Sequence, residues 1–472
     1  MRKLILSTIL AACSCSALGE APAHLRWLSD HYQQTADTAR QLWEYAEVGY
    51  QETRSSQLLQ DQLAAAGFTI EAGVADIPTA FVASYGKGGP VLGILGEFDA
   101  LPGITQDSVP TRSLLEEKAA GHACGHNLFG AGSSAAAIAI KEWLDQTGTP
   151  GTIRFYGTPA EEGGSGKVYM VRAGLFDDVD FALHWHPSDQ NSAAAQTTLA
   201  NRSAKFRFTG VSAHAAGAPD RGRSALDGVE AMNMMVNMMR EHVPQETRIH
   251  YVITEGGKAP NVVPDYAEVF YYLRHPEANM VKTLWERLEA AARGAAEGTG
   301  TKVEWEIIHG NHPVLVNETL QKMMDEEMRK LDPIAYSRDD ERFAKTLYKS
   351  FTRPSMALGS QKEVQPYSLT LGYGSTDVGD VSMAVPTLGA GIATWVPGTA
   401  AHSWQAVAAG GTTIGFRGAD FAARALSSAA VRLYTDPALR EAATAEFQQR
   451  RGDDFTYEAL LGDRKPPLDY RK

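Results

Sequence analysis

The run Val91-Leu92-Gly93-Ile94-Leu95-Gly96-Glu97-Phe98 is apolar at nearly every position instead of alternating, the pattern of a strand buried on both faces. Such a strand belongs to a sheet covered by helices, and parallel neighbours need long crossover connections. The surrounding chain supplies them. Ile77–Tyr85 reads as a preceding strand, Leu128–Trp143 as an alanine-rich helix, and Gly151–Gly157 and Val179–Leu183 as further strands. Helical spacing also fills His24–Phe68, with Gly67 closing its second helix. Polar groups stand at the strand ends: Glu97 and Asp99, then Glu161 and Glu162, then His184 and His186. An open, doubly wound α/β sheet collects its ligands at those carboxyl ends.

After about residue 200 the texture changes. A strand at Ala204–Phe208, a helix at Ser224–His242, strands at Thr247–Thr254 and Ala267–Leu273, a helix at Glu277–Ala296 and a strand at Lys302–Ile308 follow one another. That order is a ferredoxin-like α+β unit, and α/β texture resumes after it, so it reads as an insertion. The expected division is a leader at 1–22, a catalytic domain of mixed sheet from 23–200 and 310–472, and an inserted domain at 201–309. Met232, Met234, Met235, Met238 and Met239 on the insertion's first helix read as core or subunit-contact packing, not as a cofactor box. Beyond Pro313 come a helix at Glu318–Lys330, a charged stretch at Ser337–Lys349 and a long loop region from Thr352 to Asp380. Loops of that length are usually functional or mobile. A strand-like Pro386–Trp395 and helices around Gly418–Tyr434 and Pro437–Arg450 complete the fold, and the tail after Gly452 carries no readable chemistry.

Gly121-His122-Ala123-Cys124-Gly125-His126-Asn127 packs one thiol and two imidazoles into five residues, immediately before the alanine-rich helix. A helix N-terminus lowers a thiol pKa, and thiolate with neutral imidazole suits a borderline-soft dication. The plain alternative is a small buried cysteine with two surface histidines. Partners elsewhere favour the ligand reading: Glu161 and Glu162, His184 and His186, and His402. Adjacent glutamates at a strand end point to opposite sides, so one could ligate while the other serves as base.

The chain has 472 residues, a formal net charge of −12 and three cysteines. That charge leaves no basic stripe for a nucleic-acid backbone and reads as a solvated surface. Arg2 and Lys3 precede the short apolar run Leu4–Ala12, right for a secretory leader and too short to span a bilayer. Leu10-Ala11-Ala12-Cys13 looks like a bacterial lipobox, with simple cleavage near Ala17 or Gly19 as the alternative. The expectation is an exported protein, periplasmic or lipid-anchored at the cell envelope. Cys13 and Cys15 then belong to the leader or its edge, and Cys124 has no disulfide partner in the body.

Taken in order, Gly-Glu-Phe-Asp-Ala-Leu-Pro at 96–102, Gly-His-Ala-Cys-Gly-His-Asn at 121–127 and Pro-Ala-Glu-Glu-Gly-Gly-Ser-Gly-Lys at 159–167 form a signature. Trp-His-Pro at 185–187, Ala-His-Ala-Ala at 213–216, Pro-Asn-Val-Val-Pro at 260–264, Ser-Thr-Asp-Val-Gly-Asp at 375–380 and Ala-His-Ser-Trp-Gln at 401–405 extend it. The chain resembles the dimerising metallopeptidases and amidohydrolases of the aminoacylase and carboxypeptidase G group. It looks closest to the subgroup of p-aminobenzoyl-glutamate and indole-acetyl-amino-acid hydrolases. The resemblance implies two divalent metal ions per subunit, zinc or manganese, with cobalt as a further candidate. Cys124 would bridge them, with His126, Glu162, a histidine from 184–186 and His402 as terminal ligands. Many relatives align at His184, but the p-aminobenzoyl-glutamate subgroup aligns at His186, which is therefore selected. Glu161 would be the base, Asp99 would orient a ligand imidazole, and His214 on the inserted lid would polarise the substrate carbonyl. Asn261 and Arg274 would hold a substrate carboxylate, Arg274 having a strand-end ion pair as its alternative.

The expected function is metal-dependent hydrolysis of an N-acyl or aminoacyl amide next to a free carboxylate, on small N-acyl amino acid or dipeptide-like substrates. The lid implies a homodimer, or pairing with a paralogous subunit; no nucleic-acid partner is expected, and membrane contact only through an N-terminal lipid. Two rivals remain. A thiol hydrolase would use Cys124 as nucleophile and His126 as base, but it leaves the glutamates and His402 idle. A catalytically inactive metal- or peptide-binding protein would not need Glu161.

Overall fold

A computed structural model describes residues 21–471, so the leader with Cys13 and Cys15 lies outside the described residues. Val91–Gly96 sits inside a six-stranded mixed sheet, with order Thr69–Ala72, Phe81–Lys87, Gly151–Gly157, Val91–Gly96, Phe181–Leu183, Thr387–Leu388. Val91–Gly96 pairs parallel with both neighbours, and only the two contacts made by Phe81–Lys87 are antiparallel. Its glycines have a packing reason. A Cβ on Gly96 would stand 2.3 Å from the Phe155 ring, which lies across the strand.

The helix predicted from Leu128 runs from His126 to Thr147 and is buried over most of its length. Alanines dominate it, and it packs against Thr413–Thr435, whose inner face is Ala419, Ala422, Ala423, Ala425, Ala429 and Ala430. Small side chains allow two helices to approach closely inside one core. The charged stretch at Ser337 is a helix, Arg338–Tyr348, started by a reciprocal cap between Ser337 and Asp340. Among the described residues no helix is long and apolar enough to cross a membrane.

A second sheet, of four antiparallel strands, has the order Arg248–Glu255, Tyr266–His275, Ala200–Thr209, Lys302–Asn311. Helices Ala225–Met239 and Ala278–Thr299 pack on it, giving the ferredoxin-like strand order and a separate apolar core around Phe206, Tyr271 and Trp285. Its first and last strands are neighbours, Asn201 opposite Asn311. The methionine helix divides: Met232 and Met239 are buried, whereas Met234, Met235 and Met238 are exposed.

Two expectations need correction, and one strand has no counterpart in the sequence reading. The strand read from Ile77 starts at Phe81, because Ile77–Ala80 closes a turn with Ala80 N–H donating to Ile77 O. The short strand Thr69–Ala72 was missed, being an edge strand of four largely exposed residues. Pro386–Trp395 is two strands. Thr387–Leu388 pairs with Ala182–Leu183 and Gly391–Ala393 pairs with His186–Ser188, so the chain steps across at Gly389.

Candidate metal centre

The site is built at the carboxyl ends of the central strands, where His126 opens the buried helix. Gly125 precedes it with φ +78°, and a Cβ there would meet Pro187 at 2.7 Å, so this turn requires glycine. His126 is fully buried between two carboxylates. Its Nδ1–H donates to Asp99 Oδ1 at 2.9 Å, which fixes the tautomer and leaves Nε2 as a ligand atom. Nε2 lies 3.0 Å from Glu97 Oε2, yet the two are not aligned as a hydrogen bond and neither has another partner among the described residues. Glu97 Oε1 pairs with Lys167 Nζ at 2.6 Å, and Lys167 with Asp377 at 2.8 Å, all three residues being buried.

Burial opposes a charge on Glu97, but Lys167 and His126 outweigh it and hold the carboxyl below the usual range. Burial likewise opposes a proton on His126, and Cys124, Glu97 and Asp99 outweigh it, raising that pKa well above normal. Surplus negative charge that holds a proton on a ring also favours a cation there.

Cys124 Sγ stands 3.5 Å from His186 Nε2, and His186 Nδ1–H donates to Pro187 O at 2.8 Å. His186 is carried by the strand pairing just described, with its N–H donating to Ala390 O. His402, left-handed at φ +58°, donates its N–H to Ala123 O and brings Nε2 to 3.2 Å from Glu162 Oε1. Among the described residues three groups of ligand atoms result, each with its atoms within 4.8 Å of one another: Cys124, His126 and His186; Cys124, Glu162 and His402; Glu97, His126 and Glu161. The first two share Cys124. The donor set, one thiol with imidazoles and carboxylates, and the unpartnered Glu97 Oε2, His126 Nε2 and Glu162 Oε1 fit divalent ions.

Two expectations change here. The helix end was expected to lower the Cys124 thiol pKa, but burial dominates and pushes it up, so a thiolate here needs a cation beside it. The glutamates do not alternate along a strand. Glu161–Gly164 form a turn after left-handed Ala160 (φ +58°), and that turn sends Glu161 toward Glu97 and Glu162 toward His402. Burial, Glu97, Glu162 and Asp377 raise the Glu161 pKa well above its ordinary value.

A cavity of about 430 Å³ opens beside these groups, lined by Cys124, Glu161, Glu162, His186 and His402 and, further out, by Gln196, Gln321, Ser375 and Thr376. The last two come from the long loop region noted in the sequence. His184 also lines it, but joins none of the ligand groups; burial lowers its pKa to about 4. Arg274 reaches the rim, with Nη1 3.5 Å from Ser375 Oγ. His214 and Asn261 do not line the cavity. They are exposed neighbours on the four-stranded unit, joined by Ala215 N–H donating to Asn261 O. The sequence places Glu97 at a strand end and Lys167 in a signature stretch, but its reading gives neither a role in the site. The signal was there, since Glu97 and Asp99 are two apart at a strand end and reach the two nitrogens of one ring.

Residues 93–347 match the model of "Peptidase family M20/M25/M40". The chain is 40% identical over 446 residues to one of the p-aminobenzoyl-glutamate hydrolase polypeptides of Escherichia coli (strain K12), covering 88% of this chain and 92% of that one. It is 30% identical over 427 residues to an Xaa-Arg dipeptidase of Mus musculus, covering 87% and 88%. A solved structure from Bacillus subtilis, described as a dinuclear metal binding peptidase from the M20 family, is similar in fold with a TM-score of 0.54 at 18% identity, covering 84% of this chain and 98% of that one. The chain belongs to peptidase family M20/M25/M40 and is an amidohydrolase or peptidase of that family.

Proposed function

We propose that the chain is a metal-dependent hydrolase of an amide next to a free carboxylate, acting on p-aminobenzoyl-glutamate-like or N-acyl amino acid substrates. The observation that carries this is the pair of ligand groups sharing Cys124 at a cavity that Glu161 also lines. Cys124, His126, Glu162, His186 and His402 would hold the ions. Divalent metals bound there supply Lewis acidity, which ionises water near neutral pH and polarises a carbonyl. Glu161, with its raised pKa, accepts the proton of the attacking water and returns it to the leaving amine. Asp99 holds the tautomer of His126 throughout.

The carboxylate requirement rests on Arg274. Its guanidinium is half-buried, its Nε is buried with no partner, and no carboxylate lies in ion-pair range among the described residues. The ion-pair alternative therefore lacks its partner, whereas a substrate carboxylate would match the fork. Among the described residues, Glu161 and Glu162 are the only carboxylates lining the cavity, so nothing acidic is left over for a basic side chain. That favours a p-aminobenzoyl-glutamate-like substrate over an Xaa-Arg dipeptide. His214 Nδ1 accepts from the N–H groups of Ala216 and Gly217, so its proton sits on Nε2, the form that donates to a carbonyl. That it does not line the cavity of its own chain supports a dimer in which a partner, a second copy or a paralogous subunit, contributes it. The leader extends the proposal to export from a bacterial cytoplasm, with Cys13 as the lipid site.

The thiol hydrolase is disfavoured, because burial holds the Cys124 thiol protonated and His126 already faces Asp99 and Glu97. The test is metal removal. Prolonged chelation should abolish hydrolysis of p-aminobenzoyl-glutamate and of a panel of N-acyl amino acids, and zinc, manganese or cobalt should restore it. Full activity in metal-free protein, lost only on thiol alkylation, would put the thiol hydrolase ahead.

A further inference from the structure

The segment after Gly452, silent in the sequence, is a strap between the four-stranded unit and the Glu161–Glu162 turn. Leu460 is buried in the core of the four-stranded unit, and the next residue, Leu461, in the core of the six-stranded sheet. Arg202 Nε donates to Leu460 O at 2.6 Å, and Arg464 donates to Ile308 O and Glu306 at 2.5 and 2.8 Å. From the other side Arg172 donates to Gly462 O and Arg464 O. The tail backbone is pressed onto the strand end, since a Cβ on Gly310 would lie 2.7 Å from the Leu460 carbonyl carbon.

Downstream the strap reaches the metal centre. Gln51 holds Leu468 O at 2.8 Å, and the Tyr470 ring packs edge-on against Tyr50. Tyr470 OH donates to Glu162 O at 3.1 Å, and Arg471 Nη2 donates to the same oxygen at 2.7 Å. On the other side of the residue, Glu162 N–H donates to Asp99 Oδ2 at 2.9 Å. The backbone of Glu162 is thus gripped at both ends, by the tail and by the carboxylate that also orients His126. The grip has work to do: left-handed Ala160 and Ser165 bracket this turn, and non-glycine residues hold that conformation only where their surroundings impose it.

We propose that Tyr470 and Arg471 are positioning residues, fixing the turn so that Glu162 presents its carboxylate beside Cys124 and His402. This rests on the metal-dependent reading above. The test uses the full chain, stripped of metal, with Zn²⁺ titrated in competition with a chromogenic chelator. Tyr470→Phe/Arg471→Ala should lose on the order of tenfold in zinc affinity, the usual cost of removing a group that orients a ligand. The thermal unfolding of its metal-free form should match wild type, and Arg471→Lys, which keeps one donor for the carbonyl, should recover part of the affinity. Arg471→Ala alone provides the same measurement if the double variant folds poorly. Zinc affinity indistinguishable from wild type overturns the proposal, as does a loss no larger than the loss of metal-free stability explains. Wild-type chain that takes up no zinc is a different failure, that of the metal reading itself.

Discussion

At the scale of single residues, the two faces of the His126 ring environment carry different tasks. Asp99 takes its N–H and sets the tautomer, while Glu97 meets the other nitrogen without satisfying it. Lys167 then pairs with both Glu97 and Asp377 out of contact with solvent, one cation between two carboxyl groups beneath the site. Burying such groups is tolerable only when each is paired. The glutamate pair yields a sharp prediction. Glu161→Gln should lower turnover by roughly 10²- to 10⁴-fold, the usual worth of a general base, while its metal content stays intact. Glu162→Gln should lose metal instead, and metal analysis of the two proteins distinguishes the roles; the reverse pattern would mean the assignments are exchanged. His186→Ala should cost more metal and activity than His184→Ala, because only His186 reaches Cys124. Greater damage from His184→Ala would move this ligand two residues back, to His184.

At the scale of elements, His24 tests how the first helix is seated. Helix Ala23–Asp30 buries His24 against Ser428 of the helix Thr413–Thr435. Burial lowers its pKa to about 4, whereas an unfolded histidine titrates at about 6.5. Between those values the native state binds fewer protons than the unfolded chain, so stability falls as pH falls through that window. Denaturant midpoints measured from pH 7 to pH 4 should therefore drop less steeply in His24→Gln than in wild type. Parallel curves would mean that His24 carries none of the dependence. The long elements were legible because their patterns are strong: Gly151–Gly157 has the bounds read from sequence, and the helix at Leu128 was misjudged only at its ends. What escaped was set by tertiary context. The step at Gly389 depends on which neighbour each half of the strand meets, and the Cys124 thiol depends on burial that no local pattern reports. The tail escaped for the same reason. Its bonds mostly join a side chain to a carbonyl oxygen far away in sequence, and a carbonyl carries no side-chain signature.

At the scale of the whole molecule, most of the large exposed apolar side chains among the described residues lie on the four-stranded unit. Met234, Met235 and Met238 on its first helix and Val252 and Ile253 on its edge strand suit a two-fold contact. If that contact carries His214 into the partner's cavity, every site is built from two chains. His214→Ala and Glu161→Ala should each be nearly inactive, yet unfolding and refolding them together should restore roughly a quarter of wild-type activity per chain, by random pairing of a two-fold dimer. No recovery, with mixed dimers demonstrated, would sink the shared site. The root of that unit has a separate consequence. Because Asn201 and Asn311 are side by side, the host polypeptide leaves and re-enters at one point, and lengthening what is carried between them raises the closure cost only slowly, by about 0.6 kcal/mol per doubling. Evolution can therefore lengthen, shorten or exchange the carried unit, and with it the choice of partner, without disturbing the sheet that bears the chemistry. One residue sets a limit on that exchange: Leu460, from beyond the insertion, fills part of its core, so any replacement must keep a socket for it.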